Sequence, residues 1–237
     1  MNQKNLSAPE KWILFGIPVL FLAGSILHFL YDLTGKTLIA ALFSPVNESI
    51  WEHIKLAVIP VILWWSLYYI FRGKQYGIEK DKWFEGALYA VSAAIIFIPM
   101  LYYFYTGAFG VKILWIDILI LLAALSAGQL LGLHIYRCGK GINTHTVLLI
   151  FAGILLFFIL FTFLPPRIPL FQDSVTGGYS LHASLETEKI PEAKTSGIKL
   201  FSQLRVNALT NVWVTENGGN TGIQPGFVAD ALQTVED

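Results

Sequence analysis

The chain has 237 residues, 55% of them apolar and 14% charged, and its 16 basic and 16 acidic side chains cancel to a formal net charge of zero. With a mean hydropathy of +0.60, this balance excludes an ordinary soluble domain. The lack of any basic excess excludes a nucleic-acid partner, and the single cysteine, Cys138, excludes an intrachain disulfide framework or a thiolate metal cluster.

Taken in chain order, residues 12–33, 53–71, 83–105, 113–136 and 144–164 are apolar runs long enough to cross a hydrocarbon core of about 30 Å. They predict an all-α integral membrane protein with five transmembrane helices. The first run follows Lys4 and Lys11; it is too long for a secretory h-region and lacks a small-x-small cleavage site, so it reads as an uncleaved signal anchor behind a cytoplasmic segment, residues 1–11. Residues 37–43 are too few to span and read as an interfacial or re-entrant piece. Ser44 followed by Pro45 predicts a helix start there, with the hydroxyl as cap and proline in the first turn. Pro18, Pro60 and Pro99 fall within the spans and are candidate kinks.

Lys4, Lys11, Arg72, Lys74, Lys80, Lys82, Arg137 and Lys140 all fall on one side of a five-span arrangement, whereas the opposite short loops hold little beyond Lys36 and Lys112. By the positive-inside rule the N-terminus is inside and the C-terminus outside. After residue 164, Pro165-Pro166-Arg167-Ile168-Pro169 breaks the last helix. The membrane domain then spans residues 12–180. Residues 181–237 form a polar, mildly acidic extracytoplasmic tail with short β-like runs at 198–204 and 211–215, whose few apolar residues make a marginal core.

This topology gathers polar side chains at the outer face: His28 and Asp32 end the first span, Glu48, Glu52 and His53 open the second, Asp117 lies one turn into the fourth, and Asp173 follows the fifth. Glu85, His134 and His145 belong to the inner side. Ionisable groups at such depth are costly unless paired, hydrated or metal-bound, and so mark a candidate site. With a helix from Pro45, Glu48, Trp51, Glu52 and Lys55 share one face; the two carboxylates, one turn apart, then need Lys55, a cation or a shared proton between them. His28 and Asp32, four apart, can be two ligands of one metal or a carboxylate orienting an imidazole. Asp117 needs a partner, either His28 or His53, unless it is protonated against a helix backbone. Together His28, Asp32, Glu52, His53 and Asp117 make a nitrogen–oxygen donor set suited to a divalent metal such as Zn or Mn, without a His-Glu-x-x-His or Glu-x-x-His signature. The competing structural reading has Glu48 and Glu52 merely favouring the helix dipole and pairing with Lys55.

The segments His28-Phe29-Leu30-Tyr31-Asp32, Ser44-Pro45-Val46-Asn47-Glu48-Ser49-Ile50-Trp51-Glu52-His53-Ile54-Lys55 and Pro166-Arg167-Ile168-Pro169-Leu170-Phe171-Gln172-Asp173 resemble an uncharacterised family of small multi-helix bacterial membrane proteins, mainly from Firmicutes, labelled as a domain of unknown function. The resemblance covers roughly residues 10–180, and its pattern ends near Thr176-Gly177-Gly178-Tyr179, before the tail. It implies a location in the bacterial cytoplasmic membrane and supplies no activity. From the residues themselves the leading expectation is an outward pocket that binds a divalent metal or a small polar ligand. Hydrolysis of a lipid-linked or periplasmic-side substrate is the chemistry such a pocket suits, with Glu48 or Glu52 as general base and His53 or His28 as ligand or acid. The alternatives are a proton- or cation-coupled transporter, disfavoured by nearly bare mid-spans, and a non-catalytic scaffold or sensor whose tail binds a partner.

Overall fold

The structure is a computed structural model. The residues described are 6–179, so the expected tail lies outside them. The described part is helical, with no strand: α1 (Ala8–Leu33), α2 (Leu38–Phe43), α3 (Ile50–Arg72), α4 (Lys80–Phe109), α5 (Leu114–Cys138), α6 (Thr144–Phe163) and a 3₁₀ turn at Pro169–Phe171. Five of these helices are long and apolar enough to cross a membrane, and they correspond to the five expected runs. The sixth, α2, is a six-residue helix where an interfacial piece was expected. Large apolar side chains stay exposed along the long helices, including Leu22 and Ile26 on α1 and Leu149 and Leu156 on α6, a surface consistent with a multi-pass membrane protein.

The helix ends follow local chemistry. Glu10 reaches back to accept the backbone N–H of Ser7 at 2.6 Å and so starts α1. Gly110, at φ 66°, ends α4 in the left-handed conformation that glycine adopts without strain. Within the bundle the largest interface joins α4 to α5. It is built on small residues: a Cβ added to Gly128 would stand 2.8 Å from the carbonyl oxygen of Ala90, and one added to Gly132 2.8 Å from that of Gly86. The pairs Gly86/Ala90 and Gly128/Gly132, each four apart, thus let two backbones touch, which is how apolar helices associate where no hydrophobic force separates lipid from leucine.

Ionic contacts identify which helix ends lie together. Arg137 near the end of α5 meets Glu10 at the start of α1 at 2.6 Å. Asp81 on α4 accepts both the N–H and the hydroxyl of Thr144, and Glu85 accepts the N–H of Gly141 at 2.8 Å. This is the end that carries most of the basic residues. The opposite end holds the last turn of α1, α2, the start of α3, the α4–α5 connection and the chain after α6.

Candidate functional site

Local hydrogen bonding decides how the 44–49 loop presents its side chains. Ser44 does not start a helix. Its N–H and its hydroxyl both donate to the carbonyl of Ala40, at 2.9 and 3.0 Å, so it closes α2 instead. The start of α3 comes at Ile50, because Asn47 Oδ1 accepts the N–H of Ser49 at 3.0 Å and Ser49 Oγ in turn accepts the N–H of Glu52 at 3.3 Å. An Asx turn feeding a serine cap outcompetes the serine–proline start expected five residues earlier. As a consequence Glu48 lies outside the helix and shares no face with Glu52.

Glu52 turns inward and is 2% exposed, beside Lys55 at 0%. Its Oε2 lies 2.7 Å from Lys55 Nζ and accepts the Val46 N–H at 3.1 Å, while its Oε1 is 3.0 Å from the Thr162 hydroxyl. Lys55 spends its other two protons on the Ala41 carbonyl at 3.1 Å and on Thr162 Oγ1 at 2.6 Å. Every donor of the ammonium is used, which is the condition under which a buried charge is tolerable. The network ties α2, α3 and α6 together and anchors, through Val46, the loop that carries Glu48.

On the other side of α3 a second group converges. Ligand atoms of His28, Glu48 and His53 all lie within 4.8 Å of one another. His53 Nε2 is 3.3 Å from Glu48 Oε2, and the rings of His28 and His53 meet edge-on with centroids 5.2 Å apart. His53 Nδ1 lies 2.8 Å from the carbonyl of Ser49; a carbonyl only accepts, so Nδ1 carries the proton and Nε2 is aimed at the cluster. With Nε2 protonated as well, His53 donates to Glu48, and this bond together with the positive charge of the imidazoles holds the Glu48 carboxyl below the usual carboxylate range; a metal at Nε2 would take the place of that proton.

Of the other expected site residues, Asp117 lines the same cavity as this cluster, but its partner is Tyr105, whose hydroxyl donates to Oδ1 at 2.6 Å. Tyr105 ends the aromatic run Tyr102-Tyr103-Phe104-Tyr105, in which no residue type marks a partner for Asp117. Asp32 is exposed and is not among the ligand atoms that converge. Asp173 is buried and folds its own turn, accepting from Val175 N–H and the Thr176 hydroxyl. The next residue donates from Ser174 N to the Glu48 carbonyl at 3.3 Å, so the chain after α6 rests on the loop bearing Glu48. Trp51 supports it, packing against Phe158 and Phe171.

The cluster lines a cavity of about 430 Å³ whose walls are largely apolar, among them Phe21, Leu56, Ile98, Ile118 and Leu121. Thr162 and Lys112, which complete the buried network and the cavity lining, had no individual signal: a threonine in an apolar run and a lysine in a short loop are ordinary features. No curated protein and no solved structure matches the chain. A family model does match, over residues 1–181, and by that match the chain belongs to the family of unknown function DUF6512.

Proposed function

We propose that this is an integral protein of the bacterial cytoplasmic membrane, its 44–49 loop facing outward, in which His28, Glu48 and His53 hold a divalent metal for hydrolysis of a lipid-linked or small polar substrate. The observation that carries this reading is the convergence of the three ligand atoms within 4.8 Å, from α1, a loop and α3, on the wall of a cavity. Two imidazole nitrogens and a carboxylate suit Zn or Mn. The His53 Nδ1–H bond to the Ser49 carbonyl is the outer-shell contact that fixes the tautomer of a ligating histidine. A metal bound there would supply an acidified water.

The remaining roles fall to the chain. Asp117, oriented by Tyr105 and facing the same cavity, is suited to take the proton of that water. Glu52 serves as a positioning residue, since its carboxylate holds the Val46 N–H and with it the Glu48 loop. Proton or cation transport is less well supported. It calls for polar groups across the mid-span, yet the buried lining of the cavity includes the apolar Leu56, Ile98 and Ile120, and the mid-span Gln129 is fully buried with its oxygen taken by Trp65 Nε1.

Elemental analysis of the full chain purified in detergent tests the reading. Wild type is expected to carry about one Zn or Mn per chain, and His28→Ala and Glu48→Gln are each expected to lose at least nine-tenths of it, on the order of the 10–100-fold affinity losses seen when metal sites are damaged. A metal-free wild type from metal-supplemented cells, or full metal content in both variants, overturns it.

A further inference from the structure

A second cavity, of about 300 Å³, adjoins the first. The two share Glu48, Ile50, Tyr102, Lys112 and Ser174 as a common wall, yet their chemistry differs. The first is walled mostly by hydrocarbon from α1, α3, α4 and α5, with His28, His53 and Asp117 set into it. The second is bounded by Thr106, Tyr103, Gln172 and Asp173, and its exposed cation, Lys112, is paired with no carboxylate among the described residues. The carboxylates that line the two chambers are already engaged, Asp173 by its own turn, Glu48 by His53 and Asp117 by Tyr105. Thr106 spends its hydroxyl proton on the Tyr102 carbonyl and Gln172 one amide proton on that of Gly177; what the polar chamber offers a ligand is the Lys112 ammonium, the hydroxyls of Tyr102, Tyr103 and Ser174, and the second amide proton of Gln172. Such a set matches an anion with several acceptor oxygens, and Lys binds phosphate as a point charge.

From this pairing we infer that the two chambers together take an anionic amphiphile, a single hydrocarbon chain bearing a phosphate head, with the chain among Phe21, Leu56, Ile98 and Leu121 and the phosphate beside Lys112. The junction between tail and head then falls at Glu48, the one ligand of the histidine–carboxylate cluster that lines both chambers. Both volumes lie in the range of small-ligand sites. Exposed Phe29 (60%) and Leu114 (66%) stand at the rim of the apolar chamber, giving a hydrocarbon chain an apolar route from the bilayer. The inference deepens the hydrolytic reading and rests on it for the fate of the ligand; the chambers alone carry what binds.

The test is equilibrium binding of radiolabelled dodecyl phosphate to the full chain in phosphatidylcholine nanodiscs, with empty nanodiscs subtracted and metal content measured on the same samples. Saturable binding to wild type is expected, weakened at least tenfold in Lys112→Ala and abolished in Leu121→Trp, which fills the apolar chamber, while both variants keep the metal content of wild type. Lys112→Arg should keep binding to within a few-fold of wild type. Equal affinity for inorganic phosphate marks a free-anion site, and equal affinity for uncharged dodecanol marks an unspecific apolar cavity; either result, or unchanged binding in Lys112→Ala, overturns the inference. Metal-free wild type that binds dodecyl phosphate as described refutes the metal reading and leaves the ligand class standing.

Discussion

Glu48 and Glu52 are four residues apart in sequence, but they occupy two regions with opposite character. Behind α3, Glu52 and Lys55 are sealed among α2 and α6 and have every polar atom matched. In front of it, Glu48 is nearly half exposed (46%) and meets two histidines on the wall of a cavity, where neither nitrogen of His28 has a hydrogen bond among the described residues. A fully satisfied polar network holds a fold together, and a convergent but under-satisfied one is what a ligand needs. The difference arises in the Ser49 cap, which starts the helix late enough to leave Glu48 on the loop and turn Glu52 inward.

Breaking the rear region should have the largest effect. Lys55→Met leaves the Glu52 carboxylate buried without its cation, a change that typically costs about 3–5 kcal/mol, so thermal unfolding in detergent should drop steeply or the protein should fail to accumulate. Lys55→Met combined with Glu52→Leu removes both charges and should recover at least half of the loss, the Val46 N–H remaining unmatched. His28→Ala, in front, should leave the melting temperature nearly unchanged, within about 0.5 kcal/mol. A tolerant Lys55→Met beside an unfolding His28→Ala would mean the two regions have been assigned the wrong way round.

The two regions were not equally legible from sequence. The five long helices were, because a segment that must satisfy its whole backbone in hydrocarbon is held to about 20 apolar residues. Lys55 as compensation for an acidic neighbour was also readable, since three residues place the two on one helical face. The register of that face was not. Ser44-Pro45 and Asn47-Glu48-Ser49 both carry start signals, and the choice depends on Ser44 being consumed by the Ala40 carbonyl, a contact with the preceding short helix. The partner of Asp117 was hidden for a similar reason: Tyr105 reaches it across the α4–α5 turn, and nothing in an aromatic run marks which hydroxyl will do so.

A smaller perturbation sharpens the comparison within the rear region. Thr162 is 2% exposed and stands between Lys55 Nζ and Glu52 Oε1, 107 and 110 residues away in the chain. Thr162→Val keeps the shape and removes the hydroxyl, leaving one ammonium proton and one carboxylate oxygen short of a partner, at a cost of about 1–3 kcal/mol. Thr162→Ser keeps the hydroxyl and should lose less, the measurement again being thermal unfolding. If valine is as stable as wild type, the network does not span α3 and α6 in the way its distances indicate.

The smallest effect belongs to the front and is read against pH. The Glu48 carboxyl is held below its ordinary range by the imidazoles beside it, so the folded protein binds the proton less readily than the unfolded chain. A depressed carboxylate contributes stability that is fully present above the ordinary glutamate range, near 4.3, and is lost as the pH falls through the lower folded value. With half of the side chain in solvent the contribution is at most about 1 kcal/mol, or roughly 2–4 °C for a chain of this size. Wild type should therefore lose that increment relative to Glu48→Gln between about pH 5 and 3, with the two melting curves converging at the acid end. Curves that stay parallel throughout would show that His53 and Glu48 touch without energetic coupling, and would leave the carboxylate free for a cation instead.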